Sequence, residues 1–312
     1  MSTTDIYTLG AVVVGGSSAF NLDGVETANA ETGLTRVSLE AGGQPYPSFV
    51  ATVESKPTIP LTVSDIKTLL DNVSIIAGFA FPQTTVYTTV DMWFTKLAQG
   101  GVRAGSSAHL RVRMNEGMAV INTISASQGA HATADVTIYP TYDGTNVPFA
   151  YTASQSLPHT PSVDELFTLG PVKINGTALT NVTSWRIEFN PSVIVPMSDG
   201  DLYPTYVGIM TMRPRITITT TDVAVLNTYT LPGTAQTSSE TSVWLRKLNK
   251  HGTQVADATE ENIQFSLSSS QGQIYTTTAG GSNNESSTAT IIIEPTVGAN
   301  PILTVDTTAA ID

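Results

Sequence analysis

Four histidines are the side chains of this sequence best suited to bind a transition metal. They are His109, His131, His159 and His251, and no two of them are two or four residues apart. Zinc and non-haem iron sites need several ligands that converge, and such close spacings are their usual sequence signal. The spacing therefore favours histidines in surface loops and predicts no metal site.

Two aspartate-glycine segments offer oxygen ligands for a hard cation such as Ca²⁺. They are Asp143-Gly144-Thr145-Asn146 and Asp199-Gly200-Asp201. Neither has the twelve-residue spacing of a calcium loop. Both are predicted to be turns, and a cation at Asp143 or Asp199 is left open.

Other catalytic signatures are missing from the sequence. The chain has no cysteine, which excludes thiolate catalysis and disulfides. It has no Gly-x-Ser-x-Gly nucleophile motif and no phosphate-binding Gly-Lys-Ser/Thr loop. The sequence therefore predicts no catalytic residues, no cofactor and no enzyme activity.

Composition indicates a β-rich, ordered chain with an acidic surface. Of the 312 residues 40% are hydrophobic and 13% charged, and the net charge is −12. Without a basic run the chain is a poor candidate for gripping nucleic acid, because phosphate neutralisation supplies most of that affinity. No run of 18 apolar residues and no secretory signal is visible, so we expect no membrane association and first folding in a cytoplasm.

One stretch of the sequence occurs twice, and the two copies align without a gap at a constant offset of 157. The first runs from Tyr46-Pro47 through Lys56-Pro57 to Asp65, and the second from Tyr203-Pro204 through Arg213-Pro214 to Asp222. Further blocks match at offsets between 151 and 160, always in the same order. This pattern predicts a tandem duplication, with one module in residues 1–158 and a second in residues 159–312.

Each module is predicted to contain six or seven strands and one short helix. Asn175-Gly176 is a strong hairpin signal, and each proline after a basic residue marks the start or bend of a strand. Ser64-Asp65 and Thr221-Asp222 are typical helix N-caps. The predicted fold class is all-β, with two tandem similar β-sandwich or barrel modules. The residues expected to form the structural core of the repeat are Tyr46, Pro47, Pro57, Asp65, Trp93, Tyr203, Pro204, Pro214, Asp222 and Trp244.

Each half resembles the major tail tube module of long-tailed bacteriophages. The resemblance consists of an opening Leu-Gly-x-Val strand at residues 9–16 and 169–176, a divergent long loop, and the proline-rich strand pair that leads to the capped helix. It covers most of both halves, through strand patterns of low specificity. It implies a β-sandwich or barrel that forms rings, and rings that stack into a tube through which DNA passes.

Because most members of that family carry one module in a hexameric ring, a duplicated chain implies a homotrimeric, pseudo-hexameric ring. The implied location is the virion tail, after assembly in the host bacterial cytoplasm. The implied partners are other copies of the chain and other tail proteins such as a tape measure protein. DNA would pass without specific binding through a lumen lined with Asp and Glu. Residues 20–45 are our first choice for the contact between rings.

Two other functions remain open at the level of sequence. A double jelly-roll capsid protein also forms pseudo-hexameric trimers, but each roll needs about eight strands. A tandem carbohydrate-binding β-sandwich would usually need a secretion signal and exposed aromatic residues.

Overall fold

Antiparallel β-strands make up nearly all of the regular structure, which confirms the all-β prediction. The computed structural model describes residues 5–83, 85–98, 100–105, 107–197, 199–228, 235–236, 240–268, 272–283, 286–296 and 303–311.

The first half contains twelve described strands. They are β1 Ile6–Gly15, β2 Phe20–Leu22, β3 Val25–Ala28, β4 Leu34–Glu40, β5 Pro47–Ser55, β6 Ile59–Val63, β7 Phe79–Phe81, β8 Thr89–Leu97, β9 His109–Met114, β10 Gly117–Ser127, β11 Thr133–Pro140 and β12 Ala150–Gln155. One α-helix, α1 (Ile66–Asn72), lies between β6 and β7.

The second half also contains twelve described strands. They are β13 Leu166–Ile174, β14 Thr177–Ala178, β15 Val182–Glu188, β16 Ser192–Ile194, β17 Gly208–Thr211, β18 Arg215–Thr220, β19 Ala235–Gln236, β20 Thr241–Leu248, β21 Asn262–Leu267, β22 Gly272–Gly280, β23 Thr288–Pro295 and β24 Thr304–Ala309. A 3-10 helix, Val223–Asn227, follows β18. The prediction of six or seven strands in each half is therefore wrong, because several short strands lie inside segments interpreted as loops.

Local sequence explains several of these boundaries. Asn175 and Gly176 both have positive φ, 54° and 75°, as a two-residue hairpin turn between β13 and β14 requires. Pro214 lies immediately before β18 and Pro57 two residues before β6, where a missing N–H does not interrupt a ladder. In β11, Ala134, Val136 and Ile138 are buried and alternate with polar residues, which is the pattern of a strand with one face on a core.

The strands form three larger sheets and two separate hairpins. One five-stranded sheet has the order β12-β9-β8-β1-β2, and another has the order β24-β21-β20-β13-β14. A ten-stranded sheet runs β19-β22-β23-β18-β15-β10-β11-β6-β3, and β7 also pairs with β10. The hairpins are β4–β5 and β16–β17. The ten-stranded sheet thus contains strands of both halves.

Strand order and register in one half correspond to those in the other, at the positions that the sequence repeat aligns. The β3–β6 pair Val25↔Val63 recurs in β15–β18 as Val182↔Thr220, and each pair is followed by an irregularity of the ladder. The ladder between β10 and β11 is interrupted after Ile121, and that between β22 and β23 after its counterpart Thr276. Thr35↔Glu54 of one hairpin recurs as Ser192↔Thr211 of the other.

A single cluster of buried apolar side chains extends through both halves. It lies between the ten-stranded sheet and the two five-stranded sheets, and Phe81, Trp185, Ile187 and Phe265 are among its members. Covering both faces of the core with sheets is how such a sandwich removes apolar surface from water.

Asp65 occupies the N-cap position of α1, but its side chain makes no capping hydrogen bond. Asp222, at the start of the 3-10 helix, does accept a hydrogen bond, from the Ala224 N–H at 3.1 Å. Burial raises the pKa of Asp65 above its ordinary value. The Asp222 carboxylate therefore caps its helix through a hydrogen bond, whereas the Asp65 carboxylate does not.

We expect Asp65→Asn to raise the melting temperature slightly at pH 7. A carboxyl whose pKa is raised by folding favours the folded state when protonated, and this contribution is lost as pH rises through the folded pKa. Asparagine has nearly the same shape, is accepted at N-cap positions and carries no charge. Thermal unfolding at pH 7 and at about pH 3, below the ordinary pKa of 3.8, checks this. An equal gain at both pH values would contradict the electrostatic cause.

Candidate self-assembly surface

The two halves are joined by a direct strand pair, which we call the internal seam. Residues 123–127 of β10 pair antiparallel with residues 184–188 of β15. The pairing continues beyond the strands, because Gln128 N–H donates to the Thr183 carbonyl and Phe189 N–H to the Asn122 carbonyl, both at 2.8 Å. The backbone N–H and carbonyl groups at the β10 edge of the first half are thus hydrogen-bonded to those at the β15 edge of the second half.

Large side chains fill the core beneath the internal seam. Trp185 and Ile187 of β15 are almost completely buried. The Trp185 indole N–H donates to the Trp244 carbonyl at 3.2 Å, and its ring packs edge-on against Phe265 with centroids 5.8 Å apart. These contacts make the internal seam part of the hydrophobic core.

The strand that corresponds to β15 in the first half, β3, is at the end of the ten-stranded sheet. Among the described residues it pairs with β6 only. Asn29 N–H donates to the Pro60 carbonyl at 3.2 Å, so the alternating N–H groups of Ala28 and Ala30 point away from β6. This edge offers donors and acceptors to another strand.

The strand that corresponds to β10 in the second half, β22, is near the other end of the same sheet. It pairs with β23 along its length, and with β19 at Gln273 and Ile274. Residues 278–280, which correspond to the seam residues 123–125, pair with β23 only in the part of the chain that the structure describes. On the side of the sheet that faces the core, the two open edges carry small side chains, as Ala28, Ala30 and Ala279 illustrate.

Two histidine–carboxylate contacts position β3. His131, at the turn between β10 and β11, contacts the Glu26 carboxylate of β3. His159 Nε2 lies 2.6 Å from Asp23, which also accepts from the Ser162 N–H at 2.9 Å. The segment between the halves is therefore tied to the residues just before the open edge.

The β4–β5 hairpin, residues 34–55, projects as an exposed arm. Opposite pairs Val37↔Ala51 and Leu39↔Phe49 put apolar side chains on one face. Leu39 is 59% and Phe49 57% exposed. An apolar strip of this kind on a surface hairpin marks a contact site.

The face of the ten-stranded sheet opposite the core is rich in hydroxyl and amide groups. Thr62 donates to Asp135 at 3.1 Å, and Asn122 donates to Thr137 at 2.7 Å. Two shallow clefts of about 550 and 230 Å³ lie on this face. The charged residues of its strands are four acidic and two basic side chains, Glu26, Asp135, Glu188, Glu294, Arg186 and Arg215.

The residues predicted to form the core of the repeat are not all buried. Tyr46 is 76% exposed and Pro47 is exposed, because both lie at the end of the arm. Expecting these two in a core is wrong. The more buried counterparts, Tyr203 and Pro204, lie against the first half.

Both predicted tryptophans are buried but lie outside the main core cluster. Trp93 is 4% and Trp244 1% exposed, and each is covered by the side chain of a cation, Arg111 or Lys173. Trp93 alternates with the core residue Met92, so it faces the outer side of its sheet.

The histidines and acidic turns bring no metal ligands together. Among the described residues, no group of three His, Asp or Glu side chains could hold a metal ion. Asp143 accepts from the Thr145 N–H at 2.8 Å, as a turn requires, and hydrogen bonds chiefly from Asn146 lower its pKa. Asp199 lies in a turn with φ of 52°.

His109 differs from the loop histidine expected. It is buried in β9, and its Nδ1 accepts from the Lys96 N–H at 3.1 Å. Burial, chiefly, lowers its pKa, which keeps the ring neutral as this hydrogen bond requires.

The sequence does not identify the two open sheet edges, at β3 and β22, on which the candidate surface depends. The alternation places Trp185 and Ile187 on one face of a strand, but nothing in the sequence indicates which strand lies beside it. The only available signal is the small-residue composition of the two open edges compared with the seam.

No protein-family model matches the chain, and no curated protein matches its sequence. In the part of the chain that the structure describes, there is no helix with the length and apolarity to cross a membrane.

Proposed function

We propose that this chain is a structural virion protein that assembles head to tail into trimeric, pseudo-hexameric rings, which stack into a phage tail tube for DNA ejection. The observation that carries this proposal is the internal seam. It joins two corresponding β modules through non-identical edges, β10 and β15. The counterpart of β15, β3, lies at one end of the same sheet, and the counterpart of β10, β22, lies near the other end with its residues 278–280 paired only to β23 among the described residues.

Tandem duplication explains the correspondence of the halves. The ladder registers and their interruptions recur at the positions that the sequence repeat aligns. Independent domains would have no reason to share the positions of such irregularities. We infer that residues 1–158 and 159–312 are copies of one ancestral module.

A head-to-tail contact generates a ring when its rotation closes. The internal seam is one such contact between two modules. We place a second seam between β22 of one chain and β3 of the next. There, each residue of the internal seam is replaced by the residue that corresponds to it in the other half of the chain. The register is then Thr278↔Glu31, Ala279↔Ala30 and Gly280↔Asn29. Six modules in a ring require three chains.

The polar face of the ten-stranded sheet is our choice for the lumen. Its hydroxyl and amide groups and its mixed charges would let DNA pass without specific binding. Its four acidic and two basic side chains give this face a net negative charge, in the direction expected from the resemblance. We propose that a mildly acidic, hydroxyl-lined surface prevents adhesion, because it offers few cations to phosphate.

A double jelly-roll capsid protein is the main alternative. The structure describes twelve strands in each half, so the argument that the modules have too few strands for a jelly roll no longer holds. The continuous sheet through both halves favours the ring, because a jelly roll keeps two sheets of its own.

The test is the native mass and shape of the purified protein. We expect assemblies built of three-chain units and, by negative-stain microscopy, rings or tubes with a hollow centre. Closed shells, or isolated trimeric blocks without a lumen, would contradict the tube. A ring of six chains would show that the halves do not both occupy ring positions.

A further inference from the structure

A short segment of the second half docks onto the first half beside the internal seam. The Ser55 N–H donates to the Leu202 carbonyl, and the Tyr142 N–H donates to the Pro204 carbonyl, both at 2.8 Å. The rings of Tyr142 and Tyr203 lie with their centroids 6.2 Å apart. Residues 202–204, in the loop between β16 and β17, are thus held by backbone and ring contacts.

The second half has a cleft at the position that corresponds to this docking site. Its volume is about 590 Å³, and it lies between the start of β18, the start of β22 and the end of β23. Met212, the counterpart of Ser55 in the repeat, lines it together with Arg213 and Pro214. In the described part of the chain the cleft is open on the surface.

The segment that corresponds to residues 202–204 is 45–47, at the end of the arm. Tyr46-Pro47 repeats Tyr203-Pro204 in sequence, but Tyr46 is 76% exposed while Tyr203 is partly buried. The Tyr-Pro pair is therefore docked in the second half and exposed in the first. This difference indicates that the exposed pair makes its contact outside the single chain.

We propose that the cleft at Met212, Arg213 and Pro214 receives Tyr46-Pro47 of a second copy of this chain. The Met212 N–H takes the place of the Ser55 N–H and donates to the Pro45 carbonyl of the other copy. The Tyr46 ring packs against Met212 and Pro214, with the Arg213 guanidinium over its face. The site rests on the proposed head-to-tail assembly and assigns a role to the best-preserved stretch of the repeat.

Charge and shape agree with this occupant. Arg213 is exposed at the rim of the cleft, where a tyrosine ring offers a cation–π surface. Met212, Pro214 and Pro295 are the apolar residues of the lining, and they offer contacts to an aromatic residue followed by proline. In the first half the corresponding rim residue, Lys56, lies beside Glu54.

Cross-linking tests this contact cleanly because the chain has no cysteine. The cysteines are placed beside the contact, so that Tyr46 and Arg213 are both kept. Gln44→Cys and Gln273→Cys chains are mixed in equal amounts, allowed to assemble and treated with a short bismaleimide; Gln44 is exposed near Tyr46, and Gln273 is exposed in the lining of the cleft. We expect linked pairs of chains in this mixture and at least tenfold less linkage when Gln273→Cys is replaced by His251→Cys, whose residue is exposed outside the cleft.

A second mixture, Ala30→Cys with Ala279→Cys, reports on the seam between chains. If the seam pair links but the Gln44 and Gln273 pair does not, assembly stands and the docking site is wrong. If neither pair links, both proposals fail. If Gln44 and Gln273 link without the seam pair, the docking site stands and the strand register is overturned.

Discussion

Replacing Ala30 by proline should prevent assembly of the chain while leaving its fold intact. The Ala30 N–H points away from β6, so its loss removes no hydrogen bond inside the chain. Proline is tolerated on such an edge but cannot donate to a neighbouring strand, and its ring obstructs the approach. One lost ladder bond and a steric obstacle should weaken each contact by about tenfold or more.

The effect multiplies in a closed ring, because every contact between chains carries the substitution. Three weakened contacts lower the stability of the ring by about a thousandfold. Sedimentation of the variant should show monomers at concentrations where the unsubstituted chain forms rings, with an unchanged melting curve for the monomer. Ala30→Ser, which keeps the N–H, is the matched control. Rings of normal stability in Ala30→Pro would exclude β3 from the contact.

Ile187, the counterpart of Ala30 in the internal seam, gives the contrasting case. It is fully buried in the middle of the ten-stranded sheet. Proline there should prevent folding, since it sits inside a sheet that has neighbours on both sides. Proline at position 30 should thus affect assembly alone, whereas proline at the corresponding position 187 should affect folding.

Trp185→Ala should lower the free energy of unfolding by about 3–5 kcal/mol, near the upper end of that range. The side chain is 1% exposed, packs against Phe265 and donates a hydrogen bond to Trp244. Removing it leaves a cavity under the internal seam and takes away a donor to the Trp244 carbonyl. Denaturant unfolding in the Ala30→Pro background measures this without the stabilisation that assembly adds.

Trp244→Ala is the comparison within the same half. Trp244 is equally buried but lies outside the main cluster, under Lys173. We expect a loss of about 3 kcal/mol, because the lysine stem can collapse into part of the space. A loss at Trp185 below about 1 kcal/mol would show that the seam is not part of the core.

Short-range features of the fold are predictable from sequence. The Asn175-Gly176 turn and the positions of Pro57 and Pro214 depend on the φ angles and donors of those residues alone. The alternation at Trp185, Ile187 and Phe189 predicts a buried face, and all three are buried. In each case the information is local.

Pairing between distant strands is not predictable in the same way. Residues 123–127 and 184–188 are both plausible strands, but neighbour choice depends on how the whole core packs. The arm resembles a polar loop in sequence because its apolar residues, Val37 and Leu39, alternate with Arg36 and Ser38 only over a short distance. His109 resembles a loop histidine because burial of a lone histidine leaves no signal in the sequence.

Only part of the candidate site can be predicted from the sequence. The repeat draws attention to Tyr46-Pro47, but similarity alone cannot show that one copy is docked and the other exposed. Tyr203-Pro204 is docked because its site lies in the first half of the same chain. Tyr46-Pro47 is exposed in the single chain because its proposed site lies on another copy.

The composition of the seams has a mechanical consequence. Within a chain the joint is filled by Trp185 and Ile187, whereas between chains the corresponding positions are the alanines Ala28 and Ala30. A ring built this way would have stiff joints alternating with compliant ones. Under bending or internal pressure it would deform with threefold symmetry, opening along three lines while the other three stay closed. In a stack of such rings, the angular offset from ring to ring would decide whether those lines align into longitudinal hinges or are staggered into a tube that flexes equally in every direction.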